Sequence, residues 1–401
     1  MDREKKPTLL TKTFLSIFFI DILFATCFGL LAAITPLWLS DRFRADSNTI
    51  GLILGLSGVG TLFFRPFMGY AIDRWGRKNI LQLSLCVFGI LNFCFLFAHS
   101  LWAVFLIRFI QCIPFAATTT CNVTIATDSI PAERRGEGFS YFTAAATLPM
   151  AIGPALGLYL FKENWFWPFL FAGGIGLFCF VFSLFIKLPS FKPTYKKISI
   201  DSLFNKDLLF ITLMGAVCVS VLPGLLSFLT LYAVEISLNL NYIGVILFCY
   251  AVCVFIVRVF GAKIINRINP IKSGSIAIIL LGCGVFTIGI SLGFPGIVFG
   301  AVMMGTGWGI ILPTMLMMAS SLAPENRGLS NSMVFAGMDI ALSIGSYGFG
   351  LIAKLVSTYK NTYIISSGIE IVGLLVFLLL TIPHYEKDKQ SKINILGVVA
   401  K

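Results

Sequence analysis

The sequence predicts an all-α integral membrane protein in which twelve transmembrane helices form two pseudo-symmetric six-helix bundles. This prediction depends on the composition, the number of apolar segments of membrane length, and an internal repeat. Of the 401 residues, 57% are hydrophobic and only 12% are charged, whereas soluble domains carry about 25% charged residues. This composition excludes a soluble globular fold.

Twelve segments are long and apolar enough to cross a bilayer, for which about 20 residues suffice, or a few more when a helix is tilted. The first segment is too long for a cleaved signal peptide, whose apolar core has only about 7–15 residues. We therefore expect it to be a spanning helix. In chain order, the predicted segments cover roughly residues 12–39, 47–70, 79–97, 101–127, 138–161, 165–186, 208–232, 241–262, 272–292, 296–320, 329–353 and 362–382.

Lysine and arginine residues are distributed unevenly between the predicted loops. With a cytoplasmic N-terminus, the inside segments contain 22 of the 30 basic residues and the outside loops contain 5. Because cytoplasmic loops are enriched in basic residues, we expect both termini on the cytoplasmic side of a multi-pass protein in the cell (inner) membrane. The net charge of +12 therefore reflects topology, and no basic face with interleaved aromatic residues indicates nucleic-acid binding.

A polar break near residues 188–206 divides the twelve segments six and six. Across this break Arg65 aligns with Arg258, and Glu133 aligns with Glu325, at offsets of 193 and 192 residues. Two landmarks with nearly the same offset indicate a duplicated half. We therefore predict an N-terminal bundle at 1–187, a cytoplasmic linker at 188–206, a C-terminal bundle at 207–383 and a cytoplasmic tail at 384–401.

The sequence contains no pattern that indicates an enzyme. It lacks a G-x-S-x-G nucleophile turn, a phosphate-binding loop and a dinucleotide-binding glycine motif. The ten cysteines lie in apolar segments and the two histidines, His99 and His384, lie at helix ends, which is not the ligand spacing of a metal site. We expect no enzymatic activity, no cofactor, no metal site and no transport driven by ATP bound to this chain.

A cluster of charges separates the second and third apolar segments. It reads Gly69-Tyr-Ala-Ile-Asp73-Arg74-Trp-Gly76-Arg77-Lys78. We expect Gly69 to allow close approach of a neighbouring helix, Gly76 to allow a tight turn, and Asp73 to interact with a helix N-terminus. A generic positively charged cytoplasmic loop is the alternative interpretation.

This pattern resembles the loop between the second and third helices of the major facilitator superfamily. The resemblance implies a transporter with two six-helix halves, in which this loop latches the halves on the cytoplasmic side when the cavity opens outward. The second half has Asn266 where the first has an acid, so the implied latch is asymmetric. The resemblance assigns the gate role to Arg65, Gly69, Asp73, Arg74, Gly76, Arg77 and Lys78.

A second motif lies in the fourth segment, where Arg108-Phe-Ile-Gln111-Cys112-Ile-Pro114-Phe-Ala116 resembles the family's R-x-x-Q-G-x-G-x-A motif with both glycines replaced. A cation within the bilayer needs a partner or water, so Arg108 is a candidate for proton coupling. A structural arginine that binds a neighbouring carbonyl is the alternative. A polar stripe at helical spacing indicates a cavity wall, and the substrate-cavity candidates are Gln111, Phe115, Thr119 and Asn122, together with Ser343 of the eleventh segment.

Three acidic residues lie within predicted spans: Asp21, Asp339 and Glu370. An intramembrane carboxylate is a candidate functional group, and all three are proton-coupling candidates. We hypothesise that Asp21 exchanges protons under the influence of Arg108, with a static ion pair or a substrate contact as alternatives. Glu370 is the weaker candidate, because the resemblance implies that the twelfth helix is peripheral.

The fifth segment contains Gly153-Pro154-Ala-Leu-Gly157, which resembles the end of a motif of family members that export. We expect these residues to loosen the helix and to permit close packing where the halves meet. An ordinary membrane kink is the alternative interpretation.

The resemblance is to the twelve-helix, drug-efflux-like proton-antiporter branch, in which Arg65 and Pro66 before the gate are typical. It implies a monomeric, proton-coupled exporter of a small organic molecule, such as a drug, a metabolite or a metallophore, by alternating access. A proton-coupled symporter that imports a small metabolite and a non-transporting receptor or scaffold are the alternatives.

Overall fold

The computed structural model describes residues 11–130, 142, 147–186, 216, 220–260, 269–291, 293–322 and 327–381. The predicted linker at 188–206, the predicted tail at 384–401, and the landmarks Glu133, Asn266 and Glu325 lie outside these residues. Parts of the fifth and seventh predicted segments lie outside them as well. The domain boundaries therefore stay predictions.

Twelve α-helices make up the described residues and confirm the predicted all-α membrane fold. Ten of them are long and apolar enough to cross a membrane, whereas the described parts of α5 and α7 are shorter. The helices are α1 (Lys12–Phe43), α2 (Ser47–Trp75), α3 (Arg77–Cys94), α4 (Leu101–Ser129), α5 (Thr147–Glu163), α6 (Trp167–Leu184), α7 (Val221–Glu235), α8 (Asn241–Phe260), α9 (Pro270–Ile290), α10 (Phe294–Leu322), α11 (Arg327–Val356) and α12 (Tyr359–Val376).

The outer surface of the helices is apolar, as a lipid-facing surface requires. Large hydrophobic side chains such as Phe97, Trp102 and Phe185 are three-quarters or more exposed. Many exposed large hydrophobic side chains would promote aggregation of a soluble protein. In hydrocarbon they are favourable, and the helices satisfy their own backbone hydrogen bonds there. The exposed surface therefore agrees with a multi-pass membrane protein.

The chain divides into two compact units. One comprises Met1–Trp38 and Gly60–Tyr195, and the other comprises Leu39–Val59 and Lys196–Lys401. In the first unit α3 packs against α4 and α6, and in the second α9 packs against α10 and α12 while α7 packs against α11. The beginning of α2 thus belongs to the same compact unit as α7–α12.

Aromatic side chains fill the centre of each unit. In the first unit the buried Trp38 ring meets Phe95 and Phe169, with ring centroids 5.9 and 4.8 Å away. In the second unit Tyr363 meets Tyr232 at 4.9 Å and Phe349 at 5.1 Å. These rings bury large areas and hold helices together that are distant in sequence.

The charged segment between α2 and α3 is almost entirely helical, which corrects the prediction of a ten-residue loop. Helix α2 continues through Arg74 to Trp75, and α3 begins at Arg77. Only Gly76 lies between them, with φ 89° and ψ 142°. This conformation lies next to a region of backbone angles that essentially only glycine adopts. Gly76 alone therefore reverses the direction of the chain between α2 and α3.

Candidate functional site

A carboxylate and an amide meet in the seam between α1 and α4. The Nδ2 of Asn122 donates a hydrogen bond of 2.9 Å to the Oδ1 of Asp21. Asn122 is fully buried and Asp21 is half-buried. Among the described residues, no lysine or arginine forms an ion pair with Asp21, and the Asn122 Oδ1 has no hydrogen-bond partner. The carboxylate therefore has a neutral partner in this seam.

Three aromatic rings lie in the same α1–α4 seam, one to two helical turns from this pair. Phe24 and Phe28 follow Asp21 by three and seven residues on α1, so they share its face. Phe115 precedes Asn122 by seven residues on α4, and its ring centroid lies 5.7 Å from that of Phe24 and 5.0 Å from that of Phe28. The site thus combines an acidic oxygen with three π-faces, which attract an organic cation.

A second polar cluster surrounds Arg108, which is buried. Its guanidinium donates to the Gln111 Oε1 at 2.9 Å and, over a longer 3.4 Å, to the Thr35 Oγ1. The guanidinium carbon also lies 5.9 Å from the centre of the Phe95 ring. Gln111 in turn donates to the Oδ1 of Asn92 at 3.2 Å. These contacts agree with the structural alternative, in which a neighbouring side-chain carbonyl accepts from the arginine.

The two clusters lie at opposite ends of the α1–α4 seam. Fourteen residues separate Asp21 from Thr35 on α1, and fourteen separate Arg108 from Asn122 on α4. At a rise of about 1.5 Å per residue, this places the clusters about 21 Å apart. The two antiparallel helices thus place Asp21 and Arg108 at different depths, and an influence of Arg108 on proton exchange at Asp21 stays a prediction that must act over this distance.

Two of the other substrate-cavity candidates on α4 already form hydrogen bonds with neighbouring residues. The hydroxyl of Thr119 donates to the Phe115 carbonyl at 2.9 Å, and Gln111 is buried with both amide atoms engaged in the arginine cluster. Phe115 and Asn122 accompany Asp21. The predicted stripe is thus divided between two clusters.

Asp339 and Ser343 lie on α11 where α2 comes very close. Both are buried, and the Ser343 hydroxyl donates to the Asp339 carbonyl at 3.1 Å. A methyl group added to Gly58 of α2 would collide with the Asp339 carbonyl oxygen and the Ser343 hydroxyl oxygen. These two candidates therefore lie in a tight helix–helix seam of the second unit, whereas Asp21 belongs to the first.

Glu370 is buried in α12 against α9. A Cβ added to Gly282 of α9 would lie 3.2 Å from the Glu370 Cβ. Its Oε2 has no hydrogen-bond partner among the described residues. An unpaired carboxylate charge in hydrocarbon is costly, and Glu370 lies in a different unit from Asp21.

The predicted gate residues make contacts within the first unit. Arg77 forms an ion pair with Asp128 at the end of α4. Arg74 donates to the Tyr70 hydroxyl at 2.9 Å, and the Lys78 Nζ donates to the Leu184 carbonyl of α6 at 3.0 Å. Arg65 is half-buried in α2, and the side chain of Asp73 lies outside the described residues.

Gly69 has no close neighbour among the described residues, so the predicted close approach there stays a prediction. A Cβ added there meets no described atom within 4 Å. The close approach lies earlier in α2, at Gly51, Gly55 and Gly58, where α2 faces α11. A side chain at Gly69 would therefore meet no described atom, whereas Gly76 has a backbone conformation that disfavours other residues.

This difference yields a paired prediction. We expect Gly76→Ala to lower the free energy of unfolding by about 1–3 kcal/mol through backbone strain. Gly69→Ala should be neutral or should stabilise the protein by up to about 1 kcal/mol, because alanine favours a helix. Thermal unfolding of the purified variants measures both effects, and equal losses in the two variants would contradict the assignment of strain to Gly76.

The glycines of α5 pack against α1. A Cβ on Gly153 would lie 2.6 Å from the Thr26 carbonyl oxygen and 2.8 Å from the Leu30 nitrogen, and a Cβ on Gly157 would lie 2.8 Å from the Leu30 carbonyl oxygen. Pro154 lies inside α5 and its ring faces Gly29. The predicted close packing is present, but in the described residues its partner is α1 of the same unit.

The profile of the Major Facilitator Superfamily matches residues 17–328, which is more than three-quarters of the chain. The chain belongs to this superfamily. It is therefore a membrane transporter, as the sequence predicted.

Two relatives of this Major Facilitator Superfamily member come from Staphylococcus aureus. It is 26% identical to the Quinolone resistance protein NorA of strain MRSA252 over 218 residues, which span 53% of this chain and 56% of NorA. The match thus spans about half the length of that relative. It is 24% identical to the Staphylopine export protein of strain Mu50 over 392 residues, which span 91% of this chain and 95% of that protein.

Solved transporter structures share the superfamily fold. The nucleoside transporter NupG has a TM-score of 0.73 with 14% identity, and the alignment covers 92% of this chain and 98% of NupG. The human organic anion transporter MFSD10 has a TM-score of 0.65 with 19% identity, and the alignment covers 93% of this chain and all of that one. At such identities the likeness establishes the fold alone.

Sequence reasoning missed several residues of this superfamily member. Asp128 was not identified as the partner of Arg77, although its place at the end of the fourth span gave a signal. Thr35 and Asn92 were not identified as members of the Arg108 cluster. A single polar residue in an apolar helix signals a buried contact, but only the packing of α1, α3 and α4 tells which residues meet.

Proposed function

We propose that this transporter exports small organic cations in exchange for protons. One observation carries the proposal: the Asp21 carboxylate lies in a spanning helix, its described partner is the neutral amide of Asn122, and three aromatic rings lie within two helical turns along the same seam. A carboxylate without a cationic partner favours a proton or a substrate cation at the same position. When the proton and the substrate cation occupy this position in turn, the transporter exchanges one for the other across the membrane.

The relatives support the direction of movement. NorA is named for quinolone resistance and the staphylopine exporter for export, and the α5 motif resembles that of exporting members. We place both termini in the cytoplasm, because the basic residues favour that side. The candidate substrates are small organic molecules such as drugs, metabolites and metallophores. Among them, the acidic oxygen and the aromatic rings of the seam favour molecules that bear a positive charge.

Everted membrane vesicles test the proposal. Respiration acidifies their lumen, and their outer face is the former cytoplasmic face. We expect ethidium added outside to accumulate in vesicles that contain the protein, to release lumenal protons as it enters, and to leak out when a protonophore removes the gradient. An uncharged dye of similar size is the control.

Three outcomes separate the alternatives. Ethidium accumulation with proton release supports export by antiport. Protons and substrate that leave the lumen together indicate an importing symporter. No movement of any substrate from a panel of organic cations, zwitterions and metal-chelating metabolites indicates a receptor or scaffold.

A further inference from the structure

An apolar groove runs along the exposed face of α6 beside the end of α5. Its volume is about 370 Å³, which lies within the range of about 300–1,000 Å³ of small-molecule pockets. The lining residues of α6 follow one another by one, three or four positions, so they share one face of the helix. Among the lining residues are Leu160 of α5 and Trp167, Leu170, Phe171, Gly174 and Phe178 of α6.

Three glycines lie close together in α6, and two of them pack tightly against α3. A Cβ on Gly173 would lie 2.8 Å from the Phe93 ring, and a Cβ on Gly176 would lie 2.7 Å from the Gly89 Cα. A Cβ on Gly174 would meet no described atom within 4 Å. Glycine inside a helix is unfavourable compared with alanine, so Gly174 needs another reason. The groove supplies one, because Gly174 forms its floor and a large side chain would fill it.

The groove has the length of one leaflet of a bilayer. Trp167 and Phe178 are the first and last lining residues of α6, and the eleven-residue separation at a rise of about 1.5 Å per residue places them about 16 Å apart. The hydrocarbon core of a bilayer is about 30 Å thick. The exposed Lys162 and Glu163 precede Trp167, and tryptophan is enriched at the membrane–water interface. The groove therefore extends from the membrane surface to the midplane.

The groove is open along its side and bounded at the midplane. Phe171 and Phe178 are 37% and 52% exposed, so a chain can enter laterally from the surrounding hydrocarbon. One turn beyond Phe178, the Phe182 ring stacks on it with centroids 6.3 Å apart, and Phe182 also meets Phe19 of α1 at 5.4 Å. This aromatic stack ends the groove, so its shape fits one chain that enters from one membrane surface.

We propose that this groove binds one acyl chain of a phospholipid, which under the predicted topology belongs to the outer leaflet. Apolar surface alone does not favour binding, because lipid tails are as apolar as the groove. Shape does, since an unfilled groove loses the dispersion contacts on one side of its lining and a chain that fills it regains them. The lipid therefore stays bound when detergent replaces the bilayer. This inference depends on the membrane fold and not on the proposed function.

Native mass spectrometry of the full chain, extracted in detergent from phosphatidylglycerol vesicles, tests the groove. We expect the unchanged protein to keep one phosphatidylglycerol. Gly174→Phe places a ring on the floor of the groove and should lower the lipid-bound fraction at least about fivefold, because the ring takes the place of chain carbons. Gly174→Ala adds only a methyl group and should keep most of the bound lipid.

Gly368→Phe is the matched control. Gly368 lies in α12, and a Cβ there also meets no described atom within 4 Å, so the same ring is added to open space in the other compact unit. We expect this variant to keep the lipid, and size-exclusion chromatography checks that both phenylalanine variants are folded. Full lipid retention in Gly174→Phe, equal losses in both variants, or a bound mass that is a free fatty acid or detergent would overturn the proposal.

A second measurement needs no substitution. A phosphatidylglycerol with a photoreactive diazirine in one acyl chain labels the residues that the chain touches. We expect labelling of residues 167–178 to saturate at a low fraction of this probe in the vesicles. Labelling of exposed residues such as Leu83 and Ile90 of α3 should rise in proportion to the probe. Proportional labelling of residues 167–178 would show that only passing bilayer lipid covers α6, and the proposal would then be wrong.

Discussion

Asp21→Asn is expected to abolish proton-driven movement of substrate while the protein inserts and folds normally. Asparagine has the size of aspartate and can still accept from the Asn122 amide, which now donates at 2.9 Å, so the seam between α1 and α4 keeps its packing. It cannot bind or release a proton, and it does not attract a cation. We expect gradient-driven accumulation of ethidium in everted vesicles to fall at least about tenfold, equivalent to about 1.4 kcal/mol.

Glu370→Gln is the matched control for this prediction. It also replaces a buried acid by its amide, but in α12 against α9, in the other compact unit. We expect transport to persist in this variant, because removal of an unpaired carboxylate relieves a desolvation cost. Accumulation that still depends on the pH gradient in Asp21→Asn would remove Asp21 from the mechanism. Its loss in Glu370→Gln alone would transfer the proton site to α12.

Gly153→Ala is expected to destabilise the protein strongly. The added methyl group would lie 2.6 Å from the Thr26 carbonyl oxygen and 2.8 Å from the Leu30 nitrogen, and both are backbone atoms of α1 that cannot rotate away. Overpacking of this kind costs about 1–3 kcal/mol, which corresponds to a decrease in the unfolding temperature of about 2 °C or more. Gly153→Leu should prevent α1 and α5 from docking.

Gly174→Ala on the neighbouring helix α6 is the control. A Cβ there meets no described atom within 4 Å, so the substitution gains helix propensity, about 1 kcal/mol, without a collision. Thermal unfolding followed by size-exclusion chromatography compares the two variants. A Gly153→Ala variant as stable as Gly174→Ala would show that α5 does not depend on this contact.

Local properties of the chain predicted the fold well. Membrane-length apolar segments are a property of short windows, because each spanning helix must satisfy its own backbone. The described helices therefore lie where hydropathy placed them. The need for glycine at position 76 could also be predicted, because a reversal between two long helices needs an unusual backbone conformation.

The charged turn shows the limit of such reasoning. Charged residues were interpreted as a loop, but Asp73 and Arg74 belong to α2 because a charged side chain at the end of a helix reaches water without breaking the helix. Gly69 was expected to pack closely, but in the described part of the chain the close approaches of α2 occur at Gly51, Gly55 and Gly58. Neighbours are set by the position of the whole helix and not by the residue type alone.

Side-chain partners were decided by tertiary packing. Hydropathy, the internal repeat and the resemblance of the Gly69–Lys78 motif, read from the chain alone, predict a polytopic transporter of two related halves and mark Asp21 and Arg108 as buried charges that need explanation. They do not reveal that Asp21 meets Asn122, that Arg108 meets Thr35, or that Asp46 meets Lys354, 308 residues away. Such pairs depend on the register in which two antiparallel helices pack. That register is set by the small residues that let the two backbones approach closely. It is a property of two packed surfaces and cannot be read from a single segment.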